Sequence, residues 1–266
     1  MHENNDRSDA ALSMYKLQRE FFELTLRASG RERDQIGNYL DELFFSLLQS
    51  CDVTKAVEIG AYEGSFSKRF KGQYPDCPSI AYEANPYVYE RFKAGLEKAG
   101  IDYRFSCVSD TAGKMTFMVP IDFRGSERNR DNQIGSLMSN NFSEKSESFE
   151  VDSVRLDDDI DLQPDDRLAL WVDVEGACET VLGNVTDALD RTVAIMIEVE
   201  SAPLWEGQWL DTDVFTFLSS KGFVPIARDI QRKRQFNYIY LNKNLYDPHN
   251  FMKAHYRYLV GKNEYA

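Results

Sequence analysis

Residues 54–70 read TKAVEIGAYEGSFSKRF. An apolar run, AVEIG at 56–60, enters a turn carrying Gly60 and Gly64, and a helix is expected near 65–71. Strand, glycine turn and helix in that order open a βαβ unit, and the turn is where such folds hold a ligand. The spacing is G-x-x-x-G. It is not the G-x-G-x-x-G of dinucleotide sites, and it lacks the Lys-Ser/Thr of a phosphate loop. This turn is therefore not shaped mainly for a pyrophosphate.

Outward from that unit, strands and helices alternate. SIAYEA (79–84) reads as a second strand, after which Asn85 is placed to cap a helix with Pro86 at its first position. That helix turns Val88, Phe92, Leu96 and Ala99 inward and stops at Gly100. DYRFSCV (102–108), LALWVDV (168–174) and TVAIMIEVE (192–200) read as three further strands of one sheet, with a helix from Cys178 to Leu189 between the last two. KMTFMVP (114–120) and SFEVDSVRL (148–156) alternate in strand fashion around a polar loop, 122–145, which is the expected mobile element. Another helix runs from Asp211 or Thr212 to Gly222, and FVPIAR and FNYIYLN then form a hairpin across the basic turn RDIQRKRQF (228–236). The pattern predicts a doubly wound, mostly parallel, Rossmann-like α/β sheet with an antiparallel C-terminal hairpin. The expected division is a disordered tail over 1–11, a helical extension over 12–50, the main domain over 51–245, and a C-terminal tail over 246–266 packing on that domain. In the extension, Leu17, Phe21 and Leu24, then Ile36, Leu40, Leu43, Phe44, Leu47 and Leu48, recur at helical spacing. Such helices cap the domain or form an oligomer contact; the sequence leaves the oligomeric state open.

Charge and composition narrow the function. The 266 residues carry a net charge of −13, which argues against a nucleic-acid partner or an anionic membrane surface. The basic turn is the local exception, either solvated or facing an anionic substrate. No apolar run is long enough to span a bilayer, and the N-terminus is polar, so a cytoplasmic protein is expected. Cys51, Cys77, Cys107 and Cys178 form no CxxC pair and suggest neither a zinc site nor a disulfide framework.

Three acids at the expected carboxyl edge of the sheet indicate the ligand. Glu58 ends the first strand, where it can accept from an ammonium group or from loop N–H donors. Glu83 ends the second strand, 25 residues on, where a carboxylate can accept both hydroxyls of a ribose. Asp110, after the third strand, is placed for an adenine amino group. A ligand with ribose, adenine and a cationic amino-acid tail, but no phosphate, is S-adenosylmethionine. On spacing alone, a nucleotide such as NAD stays open.

The segments AVEIGAYEGSFS, AYEANPYVYERFK, SCVSDTAGKMTF, GSL, VRLDDDI, LWVDVEGACETVLGN and IMIEVE, in that order, resemble the FkbM family of S-adenosylmethionine-dependent methyltransferases over about 56–242. The resemblance implies the class I methyltransferase form of the fold. It also implies cofactor contacts from Glu58, Gly60, Ala61, Tyr62, Gly64, Glu83, Ala84, Ser109 and Asp110, and methyl transfer to a hydroxyl of a sugar, glycan or secondary metabolite. A hydroxyl needs a proton acceptor. His2 lies in the expected tail, and His249 and His255 fall outside the matched core and are expected at the surface, which leaves carboxylates. Asp173, ending the fourth strand, and Glu175 in the following turn are the catalytic candidates, unless they only cap the helix near Ala177. With Glu198 and Glu200 ending the fifth strand, they could also hold a divalent cation such as Mg²⁺. Trp205 and Trp209, in the loop after that strand, either stack on the acceptor or anchor the loop. One departure stands out: the family commonly has a second acid two residues after the glycine of D-V-E-G, and here that position is Cys178. Two competing readings are a nucleotide-linked oxidoreductase and a cofactor-binding module without catalysis.

Overall fold

The computed structural model describes residues 2–140 and 142–264, with side chains described outside 2–9, 27 and 259–264. Two helices, α1 (His2–Arg27) and α2 (Gly30–Ser50), precede β1 (Lys55–Ile59), α3 (Ser65–Gln73), β2 (Ser79–Glu83), α4 (Pro86–Lys98), β3 (Asp102–Phe105) and β4 (Cys107–Val108). Then come β5 (Gly113–Pro120), β6 (Asp122–Phe123), β7 (Ser126–Glu127), β8 (Ser146–Val154), α5 (Leu156–Asp159), β9 (Leu168–Val172), α6 (Cys178–Leu182) and α7 (Asp187–Arg191). The chain continues through β10 (Thr192–Glu200), α8 (Asp211–Ser220), β11 (Phe223–Arg228) and β12 (Gln235–Asn242) to α9 (Pro248–Glu264).

The main sheet has the order β11-β12-β10-β9-β1-β2-β3. Its strands from β10 to β3 are parallel, and β12 lies antiparallel between β10 and β11. This is the doubly wound sheet with a C-terminal hairpin that the alternation predicts. Every residue of β1, β2 and β10 is buried, as a parallel strand covered on both faces requires. One face packs Val57, Leu170 and Ile195 against Val181, Leu182, Val214 and Leu218. The other packs Met196, Ile239 and Leu241 against Leu17, Phe21, Leu40, Phe44 and Phe251, so α1, α2 and α9 share the domain's own core. Among the described residues no helix is long and apolar enough to cross a membrane.

The structure differs from the sequence reading at four places. First, α1 begins at His2 where a disordered tail over 1–11 is expected; a helix nucleated by buried Ala10, Leu17 and Phe21 extends through polar residues at little cost. Second, the third strand stops at Phe105, and Cys107–Val108 leave it to pair with Ser153 and Val154 of β8 in a separate three-stranded sheet, β4-β8-β5. Third, the helix expected over 178–189 is two short helices. The Asp157 carboxylate accepts from the amides of Thr186, Asp187 and Ala188, which starts α7 afresh. Fourth, His255 is buried on α9, although His249 is exposed as expected; neither reaches the cavity described next.

Candidate active site

The sheet order reverses between β1 and β9, which places the ligand crevice beyond their carboxyl ends. A cavity of about 490 Å³ lies there. Small-molecule sites run from roughly 300 to 1,000 Å³. Among the described residues it is lined by seven carboxylic side chains against two cations, Arg69 and Arg232.

At one end stand the residues of the opening stretch. Gly60, Ala61 and Tyr62 line the cavity with Glu58, Glu83 and Ala84. Glu58 is buried at the end of β1, and its carboxylate accepts from the amides of Phe66 (3.3 Å) and Ser67 (3.0 Å), the exposed donors of the first turn of α3. The Glu83 carboxylate accepts from Tyr62 N (2.8 Å) with one oxygen and from Asn85 N (2.7 Å) with the other. Burial pushes both carboxyls up to about 7, against those backbone hydrogen bonds. The loop between them is fixed: Tyr62 sits at φ 45°, and Tyr103 donates from its hydroxyl to the Tyr62 carbonyl at 2.9 Å. Asn85 caps α4 as its sequence suggests, accepting from Tyr87 N.

Gly60 is glycine for a reason other than approach to a ligand. A Cβ there would lie 1.7 Å from the carbonyl oxygen of Asp173, at φ 79°. The β1 and β9 turns pass too close for any side chain between them. Gly64 stands outside the cavity lining, at the start of α3, where a Cβ would meet Leu96. Ser109 and Asp110 also stand outside it: Ser109 is buried with its hydroxyl donating to the Thr111 carbonyl, and Asp110 is exposed. The chain leaves the main sheet after Phe105, so the residues at this wall are Ser106, Cys107 and Val108.

The other end gathers Asp173, Glu175 and Glu198, which can each offer one oxygen with all three within 4.8 Å of one another. Burial raises the Asp173 carboxyl above its ordinary range, while a hydrogen bond with Glu198 and the Arg232 guanidinium oppose that rise. Glu198 and Glu175 are raised well above theirs, by burial first and by the Asp173 charge next. Glu198 is therefore the protonated partner, donating to Asp173, because neighbouring buried carboxylates cannot all ionise. The N-cap of α6 is Ala177, with no side-chain hydrogen bond, so Asp173 and Glu175 do not serve there as side-chain caps.

Residues that the sequence reading passed over hold this end. Gln235 lies opposite Glu200 in the β10–β12 ladder, and its Nε2 donates to Glu198 (2.8 Å) and Glu200 (3.3 Å). Gln208 donates to the other Glu200 oxygen, while its own carbonyl accepts from the amides of Leu204 and Trp205. Ser136, of the GSL segment, donates from its hydroxyl to the Glu175 carbonyl at 2.7 Å and steadies a turn whose residue Glu175 has φ 45°. A glutamine facing two glutamates across the antiparallel β10–β12 pair was the available signal, once the register was known. Around the rim, Asn132–Gly135, from the loop expected to be mobile, and Gln231 with Arg232, from the basic turn, complete the wall. Asp41 and Phe45 of α2 reach it as well. Trp205 does not: it is buried, packing edge-on to Phe142 and so close to Gly176 that a Cβ there would lie 2.4 Å from its ring. It anchors the loop. Cys178 is also buried behind the site, its thiol directed at the Glu198 carbonyl, and it is absent from the cavity lining.

No curated protein matches the chain. Solved structures it resembles include the precorrin-6y C5,15-methyltransferase of Geobacter metallireducens, at 16% identity over 76% of this chain and 86% of that one, with a TM-score of 0.38. TrmK of M. capricolum, in complex with S-adenosyl-homocysteine, is 11% identical over 76% and 69% of the two chains, with a TM-score of 0.40. An rRNA methylase of Streptococcus thermophilus is 10% identical over 76% and 96%, with a TM-score of 0.39. None is near enough in sequence or shape to lend an activity. The family comparison is of a different kind: the methyltransferase FkbM domain matches residues 58–225, from near the end of β1 into β11, and the chain belongs to that methyltransferase family.

Proposed function

We propose that the protein is an S-adenosylmethionine-dependent O-methyltransferase acting on a hydroxyl of a sugar, glycan or secondary metabolite. The observation that carries this reading is the charge of the cavity: carboxyls line it from end to end, seven of them against the two arginines Arg69 and Arg232, a balance that opposes a pyrophosphate. An acid-lined pocket favours a cofactor bearing an ammonium and a sulfonium and opposes NAD. Glu58 and Glu83, with Gly60, Ala61, Tyr62 and Ala84, would hold it. When bound, S-adenosylmethionine supplies an activated methyl; the acceptor oxygen takes it, the carbon–sulfur bonding pair stays on sulfur, and the hydroxyl proton is left for the protein.

Asp173 is the group to receive that proton. Burial raises its carboxyl to about 6, and the hydrogen bond from Glu198 and the charge of Arg232 limit that rise, so at neutral pH it is the one of the three that carries the charge. Glu175 and Glu198, kept protonated by burial, spare it from facing two more negative charges. A second reading has one specific support: the three carboxyl oxygens within 4.8 Å. A divalent cation such as Mg²⁺, held there by Asp173, Glu175 and Glu198, would lower the acceptor's pKa in place of a proton-accepting carboxylate. The net charge of −13 and the acidic walls favour a small-molecule or glycan acceptor over nucleic acid.

The test is calorimetric titration with S-adenosylmethionine, S-adenosylhomocysteine and NAD, followed by a screen of hydroxylated acceptors read by S-adenosylhomocysteine release with and without chelator. Binding of both sulfur compounds and not of NAD supports the reading. Binding of NAD alone by folded protein sinks it, and activity lost to chelator and restored by Mg²⁺ selects the metal reading.

A further inference from the structure

Helix α1 carries two apolar seams. Ala10, Leu17 and Phe21 are fully buried, with Met14 and Leu24 packed beside them, where α1 lies on β11 and α9. The second seam faces outward: Leu12 is 50% exposed, Tyr15 57%, Phe22 52% and Leu26 66%. With Arg19, whose side chain is 65% exposed and paired with Glu23 one turn on at 2.8 Å, these residues fall at 12, 15, 19, 22 and 26. The steps are three, four, three and four, the spacing of a coiled-coil seam. Scattered exposed apolar residues need no explanation, but a seam of large ones along one helix does. It runs about 21 Å at 1.5 Å per residue.

We propose that this seam is a dimer contact in which α1 pairs antiparallel with α1 of a second copy of the chain. The charges select that occupant. In an antiparallel two-fold pairing with Tyr15 set against the partner's Leu26, Arg19 lies against the partner's Phe22. That contact places a guanidinium on an aromatic face. Lys16, exposed on the flank, then falls beside the partner's Glu23. The two-fold repeats each pairing, so one helix supplies both halves of every contact, as an isologous interface requires. A parallel pairing would instead set Lys16 and Glu23 against the partner's Ala11 and Gln18, where neither meets an opposite charge. The groove between α1 and α2, lined by Tyr15, Lys16, Glu23 and Tyr39, lies on the flank where the Lys16–Glu23 contacts fall and gives the partner's side chains room.

The test is sedimentation of the full chain over a range of concentrations, with disulfide trapping to fix the register. The wild-type protein should be a dimer. Phe22→Glu or Leu26→Glu should weaken association at least tenfold, with the circular dichroism of the folded chain unchanged because both side chains are exposed. Lys16→Glu should weaken association less, and adding Glu23→Lys should restore it. On mild oxidation, a mixture of Tyr15→Cys and Leu26→Cys chains should form the mixed disulfide, and neither variant should cross-link with itself. A monomer at every concentration overturns the proposal. So does a dimer indifferent to Phe22→Glu, or a Tyr15→Cys chain that links to its own copy.

Discussion

The two ends of the cavity use the same residue type in opposite ways. Beyond β1 and β2, Glu58 and Glu83 are tied to backbone amides, two for each carboxylate, and those amides belong to a helix start and a braced loop. Beyond β9 and β10, Asp173, Glu175 and Glu198 lean on one another, with Gln235 and Arg232 as their compensation. Carboxylates fixed by backbone are a preorganised surface that changes little when a ligand arrives. Carboxyls that share protons can pass one on. The first arrangement suits holding a cofactor and the second suits chemistry, although both stand on adjacent strands of one sheet.

The sharpest way to break that contrast is Asp173→Asn, which keeps the shape and removes the proton acceptor. With an acceptor from the hydroxyl screen, turnover should fall by roughly 10² to 10⁴, the range of general-base catalysis. Affinity for S-adenosylmethionine should change by no more than a few-fold in the same calorimeter. Undiminished turnover would remove Asp173 from the chemistry, and lost cofactor binding would show that the two ends are not separable. The reciprocal change is Glu83→Gln. It retains an acceptor oxygen for one loop amide but sets an amide donor toward the other, and it removes the charge. Cofactor affinity should drop on the order of 10- to 100-fold, about 1.4 to 2.7 kcal/mol, while turnover at saturating cofactor stays close to wild type. A drop in saturated turnover matching that of Asp173→Asn would erase the distinction.

pH separates the ends more gently. Burial lifts Glu58 and Glu83 to about 7 and raises Asp173 as well. Folded protein therefore binds more protons than unfolded protein across the interval from the ordinary carboxyl range, near 4.5, up to about 7. Where the native state holds the extra protons, stability falls as pH rises. The ligand-free protein should accordingly lose several degrees of melting temperature between mildly acidic and neutral pH, and go on losing as Glu175 and Glu198, raised further by burial, ionise. A cationic cofactor prefers the ionised carboxyls, so its affinity and its stabilising shift should both grow several-fold over the same interval. Differential scanning fluorimetry with and without S-adenosylmethionine tests both signs at once, and a ligand shift that shrinks as pH rises would contradict the assignment.

Much of this was readable from the chain because it depends on local pattern. The apolar runs of β1, β2, β9 and β10, the Asn85-Pro86 start of α4 and the acids at three strand ends are visible without coordinates. What was hidden depends on pairing between distant segments. Asp110 looks like a residue at the edge of the main sheet only while 102–108 is taken as one strand. The bond of Cys107–Val108 to β8 turns the chain aside, and three residues of register separate the expected contact from Ser106, Cys107 and Val108. Gln235 is unremarkable in a basic turn until the β10–β12 register sets it across from Glu200. Gly60 invites a ligand explanation in sequence and receives a backbone one in space, since the Asp173 carbonyl occupies the place of its missing side chain.

Cys178 gives the smallest predicted effect and tests the contrast from behind. Its position commonly carries an acid in relatives, and a missing acid would be the mark of a binding module that has lost catalysis. Here the thiol is buried, directed at the Glu198 carbonyl and raised by burial first and by the charge of Glu200 next, so it stays protonated and outside the cavity. A neutral group at that place adds no further charge to a site that already holds three carboxyls on few cations. Cys178→Ala should thus leave cofactor affinity unchanged and turnover within about threefold, roughly the loss of one weak contact. Cys178→Asp would add a buried charge behind Glu198 and should cost melting temperature without raising turnover. A gain of turnover in Cys178→Asp would mean that the acid belongs to the chemistry and that this chain works without a part its relatives use.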